Sequence, residues 1–229
     1  MVHDVLVWQL VDSAFPTGAF AHSLGLESAW QHGEVESRDD LQAFTEAAVL
    51  QAASGVLPLV NAAYREPDRL AEWDALHDAF LTNAVANRAS RVQGRTLIAS
   101  AVRIWPCAAL DGPHALVAST PHAQPPTPKL CAHVAPLTGV VFRALGVPRE
   151  TAQRIVLYGA ARGVLSAAVR LGVTGSYDAQ RLQSGVGLWS AGVAARYADT
   201  DEHDLAQTAP IVDVLQGAHD RLYSRLFQS

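Results

Sequence analysis

Apolar side chains return every three or four positions along most of this chain, which is the spacing that buries one face of an α-helix. Four stretches show this spacing most clearly: Leu41, Phe44 and Ala48; Leu70, Trp73, Leu76, Phe80 and Ala84; Leu157, Ala161, Val164, Ala168 and Leu171; and Ile211, Leu215, Ala218, Leu222 and Leu226. The pattern predicts an all-α fold, a single-domain layered bundle of about ten helices that spans residues 1–229.

Glycine, proline and capping residues predict where the helices begin and end. Residues 15–18, Phe-Pro-Thr-Gly, predict a turn, and residues 19–32 predict the helix that follows it. Ser37 is placed to cap the next helix at its N-terminus. The stripe over residues 70–84 predicts part of one long helix, and residues 129–146 predict another.

Residues 105–128 interrupt the helical pattern with six prolines. Proline lacks the backbone N–H that a helix interior needs, and its ring clashes with the preceding turn. We therefore expect a Pro-rich surface loop over residues 105–128.

The C-terminal segment, residues 205–229, carries apolar residues almost to its last position. Pro210 is a good first residue for a helix, and Leu222, Leu226 and Phe227 extend the apolar face. A protein terminus is ordinarily polar and frayed. Either the chain's own core or another protein must cover these side chains, and the pattern leaves both possibilities open.

Composition is that of a globular protein, with 49% apolar and 17% charged residues. The net charge of −5 disfavours nucleic-acid binding. Two cysteines give no disulfide framework and the first residues have no basic leader, so we expect a cytoplasmic protein. Polar residues and Pro58 interrupt the most apolar stretch, so no membrane span is predicted.

Motifs for catalysis, cofactor binding and metal binding are absent from the sequence. The nine histidines form no H-x-H or H-x-x-x-H pair, and there is no C-x-x-C. The phosphate-binding loop is missing, as is the G-x-S-x-G motif of serine hydrolases. We therefore expect no catalytic residue, no cofactor and no preformed metal site, although ligands from distant segments could still converge.

Four stretches resemble one protein family, and they occur in the family's order. They read LVDSAFPTGAFAHSLGLE at residues 10–27, NRASRVQG at 87–94, VLSAAVRLG at 164–172 and LYSRLFQS at 222–229. Each stretch is short, but together they extend over nearly the whole chain. In these stretches the sequence is similar to the UreF family of urease accessory proteins.

The resemblance implies a function in urease maturation. Proteins that resemble UreF are non-catalytic chaperones, or adaptors, which form homodimers and bind the accessory protein UreD, also called UreH. The resulting assembly recruits the GTPase UreG and delivers nickel to apo-urease as GTP is hydrolysed. The resemblance also implies that such a protein modulates GTP hydrolysis by UreG.

Residue types and the resemblance together predict a partner-binding site. Its members are Glu27, Arg170, Leu222, Tyr223, Arg225, Leu226 and Phe227. For Glu27 the alternative is an exposed helix carboxylate, and for Arg170 it is stabilisation of a helix C-terminus. Tyr223, Arg225 and Phe227 combine side-chain types that anchor protein interfaces, and packing on the chain's own core is their alternative.

We expect the C-terminal segment to be disordered or loosely held in the free protein and to become ordered on UreD. His22, which lies in the first stretch of resemblance, is expected to be a structural side chain.

Two other classes of protein stay open at this level. An α-helical enzyme would bring buried polar side chains together in a deep pocket, and a regulatory binding module unrelated to urease would share the same composition. Formation of a complex with UreD and UreG distinguishes an adaptor of the UreF kind from both.

Overall fold

The computed structural model describes residues 2–118 and 130–228. Over these residues the chain forms eleven α-helices and no β-strand, which confirms the predicted all-α fold of about ten helices. The helices are α1 Val2–Val11, α2 Leu26–Gln31, α3 Arg38–Gly55, α4 Leu57–Arg65, α5 Leu70–Phe80, α6 Ala84–Ile104, α7 Ala108–Ala118, α8 Val134–Ala144, α9 Arg149–Leu171, α10 Ser176–Arg196 and α11 Pro210–Ala218.

The helices pack around two cores that a third cluster joins. Buried side chains from α4 to α8 form the first core, and α2, α3, α9 and α10 form the second. Side chains of α3, α4, α9 and α10 connect the two. Gly139 on α8 lets α4 approach closely, because a Cβ at this position would lie 2.8 Å from the backbone nitrogen of Tyr64 and closer still to the carbonyl oxygen of Val60.

The predicted helix over residues 19–32 is wrong as a single element. A short 3₁₀ turn, Ala19–Ala21, comes first, and Leu24 and Gly25 then adopt left-handed conformations with φ of 56° and 88°. A helix cannot pass through two such residues, so α2 begins only at Leu26. This break sets the direction of α2.

The long helix predicted across residues 70–84 is also wrong, because it divides into α5 and α6. Asn83 adopts an extended conformation, and its side-chain oxygen accepts hydrogen bonds from the backbone nitrogens of Val85 and Ala86. This is an N-cap, which starts a new helix. The amide nitrogen of Asn83 also donates to the carbonyl oxygen of Asp213, which connects the break to α11.

The helix predicted over residues 129–146 starts later, at Val134. Ala132 has a φ of 70°, so residues 130–133 form a loop in front of α8. The carboxylate of Asp74 on α5 accepts hydrogen bonds from three consecutive backbone nitrogens of this loop, at Cys131, Ala132 and His133. The distant carboxylate replaces the hydrogen bonds that a helix would supply.

The Pro-rich loop predicted over residues 105–128 is wrong for its first half, where residues 108–118 form α7. Pro113 lies inside this helix. Leu110 is fully buried, and Leu116 packs against the first core. Burial of this apolar face outweighs the cost of the proline, which is about 3 kcal/mol. Residues 119–128 of the predicted loop, and position 129 at the start of the next predicted helix, lie outside the described residues.

Other boundaries agree with the sequence. Ser37 caps α3, and Asp40 completes a capping box by accepting a hydrogen bond from the backbone nitrogen of Ser37. Gly172 ends α9 in a left-handed conformation with a φ of 74°. In the described part of the chain one helical stretch, Arg38–Arg65, is long and apolar enough to cross a membrane, and 67% of its apolar window is buried inside the protein.

Candidate functional site

The C-terminal segment is docked on the N-terminal part of the chain. After α11 it makes a 3₁₀ turn at His219–Arg221 and then runs back beside residues 20–31. The backbone nitrogen of Gln228 donates to the carbonyl oxygen of Ala21 at 2.8 Å, and the side chain of Gln31 donates to the carbonyl oxygen of Ser224 at 2.9 Å. The expectation of a disordered or loosely held segment is therefore wrong for this structure.

Glu27 is the centre of this docking. Its carboxylate is almost completely buried, with 1% of the residue exposed. It accepts hydrogen bonds from the backbone nitrogens of Leu226 and Phe227, at 2.5 and 3.1 Å, and lies 3.0 Å from Nε2 of His219. A carboxylate only accepts hydrogen bonds, so His219 donates through Nε2. The hydrogen bonds that the buried Glu27 carboxylate accepts therefore come from the chain's own C-terminal segment.

The local backbone explains why Glu27 points into the protein. Leu24 and Gly25 turn the chain just before α2, and this places Glu27 in the first turn of the helix. Gly25 also lets α11 approach, because a Cβ here would lie 3.2 Å from Cβ of Gln216. The sequence Leu-Gly-Leu-Glu therefore combines a turn, a close backbone contact and a buried acceptor.

Arg170 holds the same segment from the other side. Its guanidinium lies over the ring of Phe20 at 3.9 Å and over the ring of Phe227 at 4.2 Å, and Nη1 donates to the carbonyl oxygen of Phe20. A cation stacked on an aromatic face is stabilised by about 0.5–2 kcal/mol. Phe227 itself is buried in the second core. We call Glu27, Arg170, His219 and Phe227 the C-terminal clamp.

The other predicted site residues face outward beside the clamp. Tyr223 is fully exposed, Leu226 is 54% exposed, and Leu222 is half-buried. Arg225 is exposed, with Nη1 3.6 Å from Asp220. The structure thus separates the seven residues into three that hold the segment and four that lie at its surface. No described contact tests whether any of them binds a partner.

The apolar stripe predicted from Ile211 to Leu226 is wrong as one helical face. The helix α11 ends at Ala218, and Ile211 is 70% exposed. The face that packs on the second core instead carries Val212 and Leu215. The 3₁₀ turn after α11 changes the direction of the chain, so Leu222 and Leu226 do not continue the stripe.

Sequence reasoning missed His219, which is a member of the clamp, and Phe20, on which Arg170 stacks. His219 lies 192 positions from Glu27, and no spacing in the sequence connects them. The sequence carries no signal that would have found His219, because its complete burial is known only from the structure. His22 is buried, as expected for a structural side chain.

Acidification is expected to weaken the fold around His22. Burial, with a smaller contribution from the charge of His219, holds the pKa of His22 below its usual value of 6.5. A depressed histidine pKa leaves stability unchanged above pH 6.5, and stability is lost as the pH falls below it, because the unfolded chain then binds the proton more readily. The unfolding midpoint in urea should therefore fall less between pH 7.5 and pH 5.5 in His22→Gln than in the wild type.

The fall in the urea midpoint between pH 7.5 and pH 5.5 is measured in the wild type and in His22→Gln. The difference between the two falls is the contribution of His22. The other buried histidines with lowered pKa values, His77 and His133, are present in both proteins. Any change in stability that the substitution causes at pH 7.5 cancels when each protein is compared with itself. An equal fall in both proteins would show that His22 does not contribute.

A second group of polar side chains lies far from the clamp. Ligand-type atoms of Asp78, Cys131 and His133 all lie within 4.8 Å of one another. Asp78 lies more than 50 positions before Cys131 and His133 in the sequence. The expectation of no preformed metal site rested on sequence spacing, which cannot reveal a group of this kind. Burial and the nearby Asp78 and Asp74 carboxylates raise the pKa of the Cys131 thiol, which makes it a poor nucleophile.

The described residues form an all-α bundle, and the C-terminal clamp fastens one of the protein's own segments to it. A family model described as UreF matches residues 35–187, which is more than half of the chain. The chain belongs to the UreF family of urease accessory proteins.

Individual relatives agree with this assignment over nearly their full lengths. Urease accessory protein F of Arabidopsis thaliana is 37% identical over 225 residues, which cover 97% of this chain and 91% of the relative. The protein of the same name from Oryza sativa subsp. indica is 35% identical over 226 residues, covering 96% and 83%. Urease accessory protein UreF of Arthrobacter sp. (strain FB24) is 30% identical over 227 residues, covering 99% and 97%.

Proposed function

We propose that this chain is a non-catalytic adaptor of urease maturation, which binds UreD (UreH) and recruits the GTPase UreG for GTP-dependent nickel insertion into apo-urease. Membership of the UreF family is the observation that carries the proposal. In this proposal the protein acts in the cytoplasm as a homodimer, and it modulates GTP hydrolysis by UreG through contact and not by supplying a cofactor.

The surface beside the C-terminal clamp is the proposed binding site for UreD. Tyr223 and Leu226 are exposed at the end of a segment whose backbone is fixed, and Phe20 exposes 63% of its surface nearby, stacked on Arg170. Aromatic and aliphatic side chains on a rigid backbone bind a partner with little loss of conformational entropy. Arg225 adds a charged fork of donors at the rim.

Glu27, Arg170 and Phe227 take part in this proposal indirectly. In this proposal they act from beneath the binding surface, because each is engaged with the C-terminal segment or buried below it. Their proposed role is to hold Tyr223, Arg225 and Leu226 in one conformation. Substitutions in the clamp should then weaken UreD binding through the position of the segment.

A surface substitution tests the proposed site without disturbing the core. Leu226→Asp places a charge at a half-exposed position, so the protein should fold normally and bind UreD at least about 10-fold more weakly, as expected for an interface anchor. Leu188→Asp is the matched control, because Leu188 is an exposed leucine on α10. Titration calorimetry with purified UreD measures both affinities.

The two variants separate a local effect from a general one. Equal affinity of Leu226→Asp and the wild type would remove this surface from the proposed site. An equal loss in both leucine variants would mean that added charge, and not the position of Leu226, weakens binding.

A further inference from the structure

The group formed by Asp78, Cys131 and His133 lies at the junction of α5, α6 and the loop in front of α8. Asp78 comes from the last turn of α5, and the other two residues flank Ala132 in the loop. The site is half open: His133 is completely buried, whereas the side chains of Asp78 and its neighbour Arg91 are each about one third exposed. Solvent therefore reaches one side of the group.

The loop that carries Cys131 and His133 is fixed before any ligand arrives. Asp74 accepts hydrogen bonds from the backbone nitrogens of Cys131, Ala132 and His133, at 2.5, 3.2 and 2.7 Å. Gly94 on α6 presses on the same loop from the other side, with no side chain between the two backbones. A backbone held in this way keeps both side chains in one arrangement, as a preorganised site requires.

His133 is oriented by a neighbouring hydroxyl group. Its Nδ1 lies 3.0 Å from Oγ of Ser90, which also accepts a hydrogen bond from the backbone nitrogen of Val134. Its Nε2 faces Oδ1 of Asp78 at 3.0 Å. When Nδ1–H donates a hydrogen bond to Oγ of Ser90, the lone pair of Nε2 points toward Asp78. A histidine that binds a metal ion is typically oriented in this way by a hydrogen bond from its other ring nitrogen.

Asp78 presents its Oδ1 to the other members of the group. Its Oδ1 accepts from the side chains of Asn87 and Arg91 as well as facing His133, and these are the N–H donors that the described residues offer it. Its Oδ2 receives no N–H donor in the described part of the chain. The Cys131 thiol is also hydrogen-bonded to the Asp78 carboxylate, so sulfur, imidazole and carboxylate are already in contact.

A second imidazole adds to the group. His77 is 2% exposed, and its ring lies 4.8 Å from the ring of His133. Its Nδ1 has no hydrogen-bond partner among the described residues. A buried polar nitrogen without a partner is unusual, and here it belongs to a ring that packs on the ring of His133.

We propose that Asp78, Cys131 and His133 form a binding site for one divalent transition-metal ion, such as Zn²⁺ or Ni²⁺, with a fourth position open to solvent. Tetrahedral coordination with bonds of about 2.0–2.1 Å to nitrogen and oxygen sets those two atoms about 3.3 Å apart. The distance between Nε2 and Oδ1 is 3.0 Å, so binding requires only a small separation of these atoms. A thiolate, an imidazole and a carboxylate suit borderline ions and not Mg²⁺ or Ca²⁺.

Binding requires three local changes. The Cys131 thiol loses its proton to the solvent. The proton on Nε2 of His133 is replaced by one on Nδ1, which donates a hydrogen bond to Oγ of Ser90, so one proton is released for each ion. Arg91 must also leave Oδ1 of Asp78. It can do so because its side chain is 35% exposed and reaches solvent. Three protein ligands and an open position favour an ion that exchanges over one that is permanently held.

Metal titration of the isolated chain tests this site independently of any role in urease maturation. Zn²⁺ and Ni²⁺ are titrated separately by calorimetry, and Co²⁺ is added because a cobalt–thiolate bond gives an intense absorption band in the near ultraviolet. The wild type should bind one ion per chain and show the band. Cys131→Ser should lose the band and bind at least about 10-fold more weakly, and Asp78→Asn should also bind more weakly.

Two further variants complete the design. Cys107→Ser is the matched control, because Cys107 is a half-buried cysteine outside the group, and it should bind like the wild type. Arg91→Gln should bind more tightly, since a competing positive charge is removed. Circular dichroism and urea unfolding establish that each variant is folded before its affinity is compared.

The site would be rejected by either of two results. One is a folded wild-type protein that binds neither Zn²⁺ nor Ni²⁺ when the ion is added to roughly millimolar concentration, about 100-fold above the concentration of the chain. The other is binding that is unchanged in folded Cys131→Ser and Asp78→Asn proteins, which would place the ion elsewhere on the chain.

Discussion

Replacement of Glu27 by alanine should lower the free energy of unfolding by about 3 kcal/mol and release residues 219–228 from the protein. The carboxylate solvates two backbone nitrogens and Nε2 of His219 in a place from which water is excluded. Removal of the carboxylate leaves these donors buried without an acceptor, and the segment escapes this penalty by undocking. Urea unfolding measures the loss, and amide hydrogen exchange of Leu226 and Phe227 measures the release.

Glu34→Ala is the control for Glu27→Ala. Glu34 is exposed and carries the same charge, so its replacement should change stability by less than about 0.5 kcal/mol and leave exchange of the segment unchanged. Slow exchange at Leu226 and Phe227 in Glu27→Ala would show that the carboxylate does not hold the segment.

Replacement of Gly94 by alanine should lower the free energy of unfolding by about 3 kcal/mol. A Cβ at this position would lie 2.8 Å from the carbonyl carbon of His133 and closer still to the carbonyl oxygen of Ala132. Both atoms belong to the backbone, which cannot rotate away as a side chain does. The loop must move, and it then loses hydrogen bonds to Asp74.

Gly159→Ala serves as the control for Gly94→Ala. Gly159 lies at an exposed position of α9, and a Cβ there would meet no atom within 4 Å. Alanine is the better helix former, so this variant should be up to about 1 kcal/mol more stable than the wild type. Urea unfolding of both variants checks the signs, and a Gly94→Ala protein as stable as the wild type would contradict the tight contact between α6 and the loop.

Features of the fold that depend on neighbouring residues were predictable from the sequence. Ser37 and Asp40 form a capping box within four residues, and Gly172 ends α9 through its own backbone conformation. Breaks that depend on distant residues were not predictable. The loop before α8 is stable because Asp74 accepts the hydrogen bonds of its backbone nitrogens. The helix α7 tolerates Pro113 because Leu110 is buried in a core that other helices form.

The candidate site shows the same limit. Glu27, Arg170 and Phe227 were predicted as site residues from their types and from the family resemblance, but their mutual contacts were not predicted. They lie up to 200 positions apart, and helical periodicity carries no information over such separations. The 3₁₀ turn at His219–Arg221 decides which side chains are covered, and its turn residues gave no signal of their own.

The adaptor account is tested most directly by mixing the purified chain with UreD and UreG in the presence of GTP and Mg²⁺. Size-exclusion chromatography with light scattering then measures the mass of the eluting species. The account predicts a complex that contains all three proteins, with two copies of this 24.4 kDa chain. Elution of this chain separately from UreD and UreG would contradict it.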